Sequence, residues 1–316
     1  MCCLFGIFDH SNALPYAAKK YILKVLSEEC EVRGTDATGI SYNSHGTMKI
    51  YKRPVEASKL HLRPSHDAKV IMGHTRMTTK GNERRNYNNH PFIGYVGGVT
   101  FSLAHNGVLY NDEMLRKAYG LPHTKIETDS YIAVQLIEEA GKLDMDSVQQ
   151  MAEAVHGTFC FTILSSKNEM YLVKGNNPLE MYDCGGYYIY ASTYEILQNV
   201  FKRLRITGQK HIELKSETIT QIHADGSMEA RAFSMYDDME EYCFGSNYHF
   251  SFPEVSDDSQ IEQLMEYASF FGIDEEDILL LYDYGFDEVE IEELLYDPIA
   301  MQDIISEYRI FDRRMG

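Results

Sequence analysis

Short apolar or alternating runs, separated by turn residues, predict a layered α+β fold for residues 1 to about 235. A few stretches of helical spacing sit between blocks of strands, without the strand–helix–strand repetition of a parallel sheet. After about residue 256 the chain becomes acidic and helical in pattern, which predicts a second, smaller unit.

The elements follow in order. Met1-Cys2-Cys3-Leu4-Phe5-Gly6-Ile7 runs from a cysteine into a strand-like apolar stretch. Residues 15–30 carry Ile22, Leu23, Leu26 and Cys30 at helical spacing, with Pro15 suited to a first turn. Strands are expected at 39–43, 48–52, 70–74, 159–165, 170–174 and 187–191. A helix from Asp129 to Glu139 would turn Ile132, Ala133, Leu136 and Ile137 inward, and another would run from Asp146, a candidate N-cap, to about Val155. Residues 236–256 are expected to form a linker, and 257–316 an acidic accessory bundle of short helices. Within the latter, Phe271-Gly272-Ile273-Asp274-Glu275 is echoed by Tyr284-Gly285-Phe286-Asp287-Glu288. Each glycine suits a helix end, each aspartate the next N-cap, and Asp277 and Glu290 a shortened capping box.

Composition excludes several classes of function. Of the net charge of −19, 16 units fall in residues 251–316, where 19 acids face three arginines. The remaining body is close to neutral, so it lacks the clustered Lys and Arg that bind nucleic acid. No run is long and apolar enough to span a membrane, and no secretory signal opens the chain. Cysteines 2, 3, 30, 160, 184 and 243 form no CxxC pair, which suits neither a disulfide framework nor a zinc site and fits a reducing cytoplasm. The acidic clusters lack the order of a calcium loop. No metal and no cofactor is expected.

Cys2 is the residue with the greatest chemical potential. Cysteine is small enough for the preceding methionine to be trimmed. The freed α-amine, with an unperturbed pKa of ~8, could then act as base for its own thiol at ~8.5. Nucleophile and base in one residue make a minimal unit of covalent catalysis. Five further segments accompany it: Arg33-Gly34-Thr35-Asp36-Ala37-Thr38-Gly39, Gly73-His74-Thr75-Arg76-Met77-Thr78-Thr79, Asn88-Asn89-His90-Pro91, His105-Asn106-Gly107-Val108-Leu109-Tyr110-Asn111 and Thr128-Asp129. Singly, each has an ordinary explanation: Asn106-Gly107 is a common hairpin dipeptide and Asp129 a routine N-cap.

As an ordered set behind Cys2, these segments resemble the class II glutamine amidotransferase domain of the N-terminal-nucleophile hydrolases. The family pattern reads M-C-G-I-x-G, R-G-x-D-x-x-G, G-H-T-R-W-A-T, N-x-H-P, H-N-G-x-I-x-N and T/S-D, and the likeness covers residues 2–235. The resemblance implies a four-layer αββα sandwich of two antiparallel sheets and hydrolysis of L-glutamine to glutamate and ammonia. It implies Cys2 as nucleophile, Asn106 and Gly107 as oxyanion donors, Arg76 with Thr79 on the substrate carboxylate, and Asp129 on its ammonium. Independent chemistry agrees: a tetrahedral oxyanion calls for neutral N–H donors, and a free amino acid presents one carboxylate and one ammonium. His74, His90 and His105 are read as structural, because the α-amine already supplies the base.

Three departures bear on substrate choice: Cys3 stands for glycine beside the nucleophile, Met77 for tryptophan, and Lys80 for a histidine found in several members. Cys3 is expected to crowd the site and add a rival thiol. No phosphate loop accompanies the motifs. The family habit of delivering ammonia therefore implies a separate synthase or ligase partner, with the acidic segment as a docking or regulatory element. Homo-oligomerisation is left open. Two other readings remain: an amidase of the same type acting on another γ-glutamyl or amide compound, and a catalytically idle binding or regulatory module.

Overall fold

The computed structural model describes residues 2–236 and 273–283, with positions 291, 301, 304, 305 and 309. The chain divides into two units, Met1–Glu240 and Glu241–Gly316. In the first unit, one sheet holds seven strands: β1 (Cys3–Phe8), β2 (Ala37–Ser44), β3 (Thr47–Arg53), β4 (Val70–Arg76), β9 (Glu180–Asp183), β10 (Tyr188–Ala191) and β11 (Lys210–Ile212), in the order β11-β9-β10-β1-β4-β2-β3. The other holds six: β5 (Phe92–Val96), β6 (Val99–Leu109), β7 (Gly157–Ser165), β8 (Met170–Lys174), β12 (Thr218–Ile222) and β13 (Met228–Ala232), in the order β13-β12-β8-β7-β6-β5. Neighbouring strands pair antiparallel throughout.

The strand period of two sorts side chains into three cores. Along β1, Cys3, Phe5 and Ile7 face helices α1 (Tyr16–Glu29) and α5 (Tyr194–Leu204), packing on Leu23, Leu26, Leu197 and Phe201. Leu4 and Phe8 face the second sheet and meet Ala104, Cys160, Leu164 and Leu172. On the far side of that sheet, Phe101, Leu103, Phe159 and Phe161 pack on α3 (Tyr131–Glu139) and α4 (Met145–Ala154). Helix, sheet, sheet and helix make the four-layer αββα sandwich expected from the motifs. The short α2 (Asp112–Ala118) follows β6. A buried ion pair, Lys19 Nζ to Asp9 Oδ2 at 3.0 Å, ties α1 to the end of β1.

The expected strands all form, with ends shifted by a few residues, and Pro15 sits at the N-cap of α1. Two helix starts differ from expectation. The cap of α4 is Asp144, not Asp146. Asp144 has extended backbone, accepts the Ser147 N–H at 3.0 Å and donates its own N–H to the Ser147 hydroxyl at 3.0 Å. Asp146, one turn in, pairs instead with Lys142 and Arg231. Asp129 does not cap α3, which begins at Tyr131 after Ser130.

In the second unit, α6 (Glu275–Asp283) opens directly after Asp274, whose carbonyl accepts the N–H groups of Asp277 and Ile278. Ile278 and Leu281 are buried, and Arg309 pairs with Asp277 at 2.5 Å. The second copy of the echo, through Glu290, and the expected linker beyond Tyr236 lie outside the described residues. Among the described residues, no helix is long and apolar enough to cross a membrane, and no cluster of three potential metal ligands occurs.

Candidate active site

The site is built where both sheets end. Cys2 stands one residue before β1, and alternation decides which way it and its neighbour point. Cys3 is fully buried in the helix-facing core with Cys30, on the opposite side from the cleft. The expectation that Cys3 crowds the nucleophile is therefore corrected: a one-residue step along a strand turns it away. Cys2 lines a small cleft with Arg76, Met77, Thr79, Lys80, His90, His105, Gly107 and Asp129.

Two features of the Arg33–Gly39 turn have physical reasons. The Arg33 Nε donates to the Cys2 carbonyl at 2.8 Å, fixing the first turn of chain. A Cβ on Gly34 would lie 2.5 Å from the Arg76 backbone, so only glycine lets the turn pass beneath β4. Asp36 then accepts the Thr78 N–H at 2.7 Å and holds the loop that follows Arg76. That loop brings the Met77 N–H to 3.4 Å from the Cys2 sulfur. Burial raises the Cys2 thiol above its ordinary pKa, against the opposing effects of the Met77 hydrogen bond and the Arg76 charge. The resting sulfur is thus a protonated thiol.

Arg76 is buried and held from one side. It donates to Asn89 Oδ1 at 2.7 Å, to the Lys80 carbonyl at 2.6 Å and to the Gly81 carbonyl at 3.3 Å. Asn89 is oriented in turn by donating to the Glu83 carbonyl at 2.8 Å. Lys52 on β3 supports the same loop, donating to the carbonyls of Asn89 and Pro91. Burial, with the Arg76 charge adding to it, pushes the Lys52 amine down to about 8, so it remains protonated at neutral pH. Asn88 joins this loop to the Thr128-Asp129 segment by accepting the Glu127 N–H at 2.9 Å and donating to its carboxylate at 2.7 Å.

From the second sheet, β6 contributes Asn106 and Gly107. The Asn106 side chain is buried and donates to Ser192 Oγ at 3.5 Å, while the Asn106 backbone carbonyl accepts from Asn177 Nδ2 at 2.8 Å. Ser192 also accepts the Leu4 N–H at 2.8 Å and so couples Asn106 to β1. Gly107 has φ +143°, and a Cβ there would lie 1.8 Å from the Thr158 carbonyl oxygen. Glycine is mandatory at that position. Asp129 is buried and accepts the Leu109 N–H at 2.6 Å, which makes it a strut between α3 and β6 rather than a cap. Asn106 itself does not line the cleft wall; it stands beside Gly107.

The three motif histidines cluster at the base. His74 Nε2 donates to the His105 carbonyl at 3.0 Å, its ring lies 4.3 Å from that of His90, and His105 Nδ1 bonds Ser130 Oγ at 2.8 Å. Burial pushes His74 down to about 3 and lowers His90 and His105, the last against the pull of Asp129. All three are neutral at pH 7.

A family model described as "Glutamine amidotransferase domain" matches residues 49–258, more than half of the chain. The chain belongs to the class II glutamine amidotransferases. The matched stretch includes every member of the amidotransferase site named above except Cys2 and the turn beneath β4. Glutamine–fructose-6-phosphate aminotransferase of Staphylococcus epidermidis is 29% identical over 242 residues, 73% of this chain and 39% of its own length. The enzyme of the same name from Bacillus thuringiensis is 27% identical over 267 residues, 81% of this chain and 43% of its own. The amidotransferase chain thus spans about two fifths of the length of these relatives. Among solved structures, glutamine phosphoribosylpyrophosphate amidotransferase of B. subtilis, complexed with ADP and GMP, superposes with a TM-score of 0.59 at 21% identity, covering 84% of this chain and 57% of that one. An allosteric regulatory enzyme of purine biosynthesis gives 0.59 at 20% identity, with 84% and 58% covered. Both likenesses establish the fold of the amidotransferase domain.

Lys52, Asn89, Asn177 and Ser192 were not singled out from the sequence of this amidotransferase domain. Asn89 lies inside a motif and could have been suspected. Lys52 and Ser192 reach the site only through strand pairing, which no local pattern reveals.

Proposed function

We propose that this domain hydrolyses the side-chain amide of L-glutamine to glutamate and ammonia through a thioester on Cys2, with ammonia passing to a synthase or ligase partner. The observation that carries this reading is the meeting of Cys2, Arg76, Gly107 and Asp129 around one cleft, with Asn106 adjoining. Arg76 is presented as a fixed cation for the substrate α-carboxylate, with the Thr79 hydroxyl beside it. Asp129 is the acceptor for the α-ammonium. The raised thiol needs a base, burial makes the three histidines weak proton acceptors, and the α-amine freed by removal of Met1 is the base that Cys2 carries itself.

The sulfur attacks the amide carbon as its proton passes to that amine. The oxyanion is held by the Asn106 amide and the Gly107 N–H. The amine returns the proton to the departing nitrogen, ammonia leaves, and water, deprotonated by the same amine, cleaves the thioester to glutamate. Intact-mass analysis after incubation with 6-diazo-5-oxo-L-norleucine tests the reading. The expected result is one adduct, mapped to a methionine-free Cys2, absent from Cys2→Ala. A processed protein that hydrolyses glutamine with Cys2→Ala intact in activity would refute the thioester route.

A further inference from the structure

Loop 77–81 forms the outer side of the cleft, and its anchorage is asymmetric. Asp36 holds it near the start, through Thr78. At the other end its carbonyls at Lys80 and Gly81 take two N–H groups of Arg76. The Lys80 side chain leaves the loop and meets both carboxylate oxygens of Asp112, at 3.0 and 3.2 Å. Asp112 is a fixed post: its side chain is 7% exposed against 47% for Lys80. It opens α2 directly after Asn111, which donates to the Ala154 carbonyl at 2.9 Å and accepts the His156 N–H at 2.9 Å.

We propose that the Lys80–Asp112 pair is a latch that sets affinity for the amino-acid substrate, with Lys80 and Asp112 acting as positioning residues through Arg76. The proposal rests on the reading of the cleft as a glutamine site. A buried guanidinium presents its free N–H groups in one direction only while its other partners stay in place. Two of those partners are backbone carbonyls of the loop that Lys80 pins. If the pin is released, the carbonyls move and Arg76 loses its alignment with the carboxylate. The oxyanion donors sit on β6, and Cys2 touches the loop only at Met77, beside the end that Asp36 holds through Thr78 and away from the end that Lys80 pins. Its loss should therefore weaken ground-state and transition-state binding alike, which appears in KM and leaves kcat. One partner is half exposed, so the pair is screened by salt.

Steady-state glutamine hydrolysis by the wild type, Lys80→Met, Lys80→Arg, Asp112→Asn and the Lys80→Met/Asp112→Asn double variant tests the latch, at low and high ionic strength. Each disruptive single change should raise KM by about three- to tenfold with kcat retained. The double variant should be no worse than either single one, and Lys80→Arg should restore most of the affinity. KM of the wild type should rise with salt, and that of Lys80→Met should not. If Asp112→Asn fails to fold, the solvent-side Lys80→Met and the salt series still decide. An unchanged KM in Lys80→Met, or a fall in kcat at constant KM, overturns the latch while wild-type hydrolysis that depends on Cys2 stands. A wild type without Cys2-dependent hydrolysis overturns the glutamine reading and the latch with it.

Discussion

At the scale of single residues, the site depends on atoms that are missing as much as on those present. Gly107 is the sharpest case, because its φ belongs to glycine and its Cβ position is occupied by the Thr158 carbonyl. Gly107→Ala should destabilise the protein by about 2–5 kcal/mol, combining backbone strain with overpacking. A denaturant midpoint equal to that of the wild type would refute this. Cys3 teaches the converse lesson. Its neighbour is the proposed nucleophile, yet the pleat sends it into the helix-facing core. Replacing the family's glycine there changes packing and leaves the cleft untouched. The motifs name Cys2, Arg76, Asn106, Gly107 and Asp129, each a residue type that the proposed chemistry requires, and folding brings all but Asn106 to one cleft.

At the scale of elements, what could be read and what could not divide along a physical line. Strands β2, β4, β7 and β8 were legible from apolar alternation, and α1 from its 3.6-residue spacing. Caps were not, because Asp144 and Asp146 are equally good candidates by residue type and only backbone geometry chooses. Nor were the supports that arrive from neighbouring strands, since register is a tertiary property. Lys52 is the clearest of these. It reaches across from β3 to two loop carbonyls flanking the cis His90–Pro91 bond, behind Asn89 and Arg76. Lys52→Met keeps the aliphatic stem and removes both bonds, leaving two carbonyls without their donor. The expected cost is about 1–3 kcal/mol in unfolding free energy with a raised KM for glutamine, both read on the same preparation. A variant with unaltered stability would mean that water replaces the amine.

At the scale of the molecule, three neutral histidines are packed where the two sheets meet the cleft. Their pKa values are depressed relative to the unfolded chain, where histidine titrates near ~6.5. Between those limits the unfolded chain binds more protons than the folded one. Stability should therefore be complete above about pH 6.5 and fall as pH drops towards about 3, the His74 value, with a slope approaching ~1.4 kcal/mol per pH unit from His74 and further losses of the same sign from His90 and His105. Carboxylates titrate in the lower half of this range, so chemical denaturation between pH 6.5 and 5 is the window for the histidines; a flat profile there would show that they are solvated. The assembly has one more consequence. Arg76 and the strand that follows Cys2 belong to one sheet, and Asn106 and Gly107 to the other. A molten chain with both sheets hydrogen-bonded but unpacked would possess every reactive group and no cleft. Under the proposed mechanism, labelling of Cys2 by a glutamine analogue is therefore a gauge of native packing, and in refolding it should lag the recovery of far-ultraviolet circular dichroism and coincide with burial of the inter-sheet core.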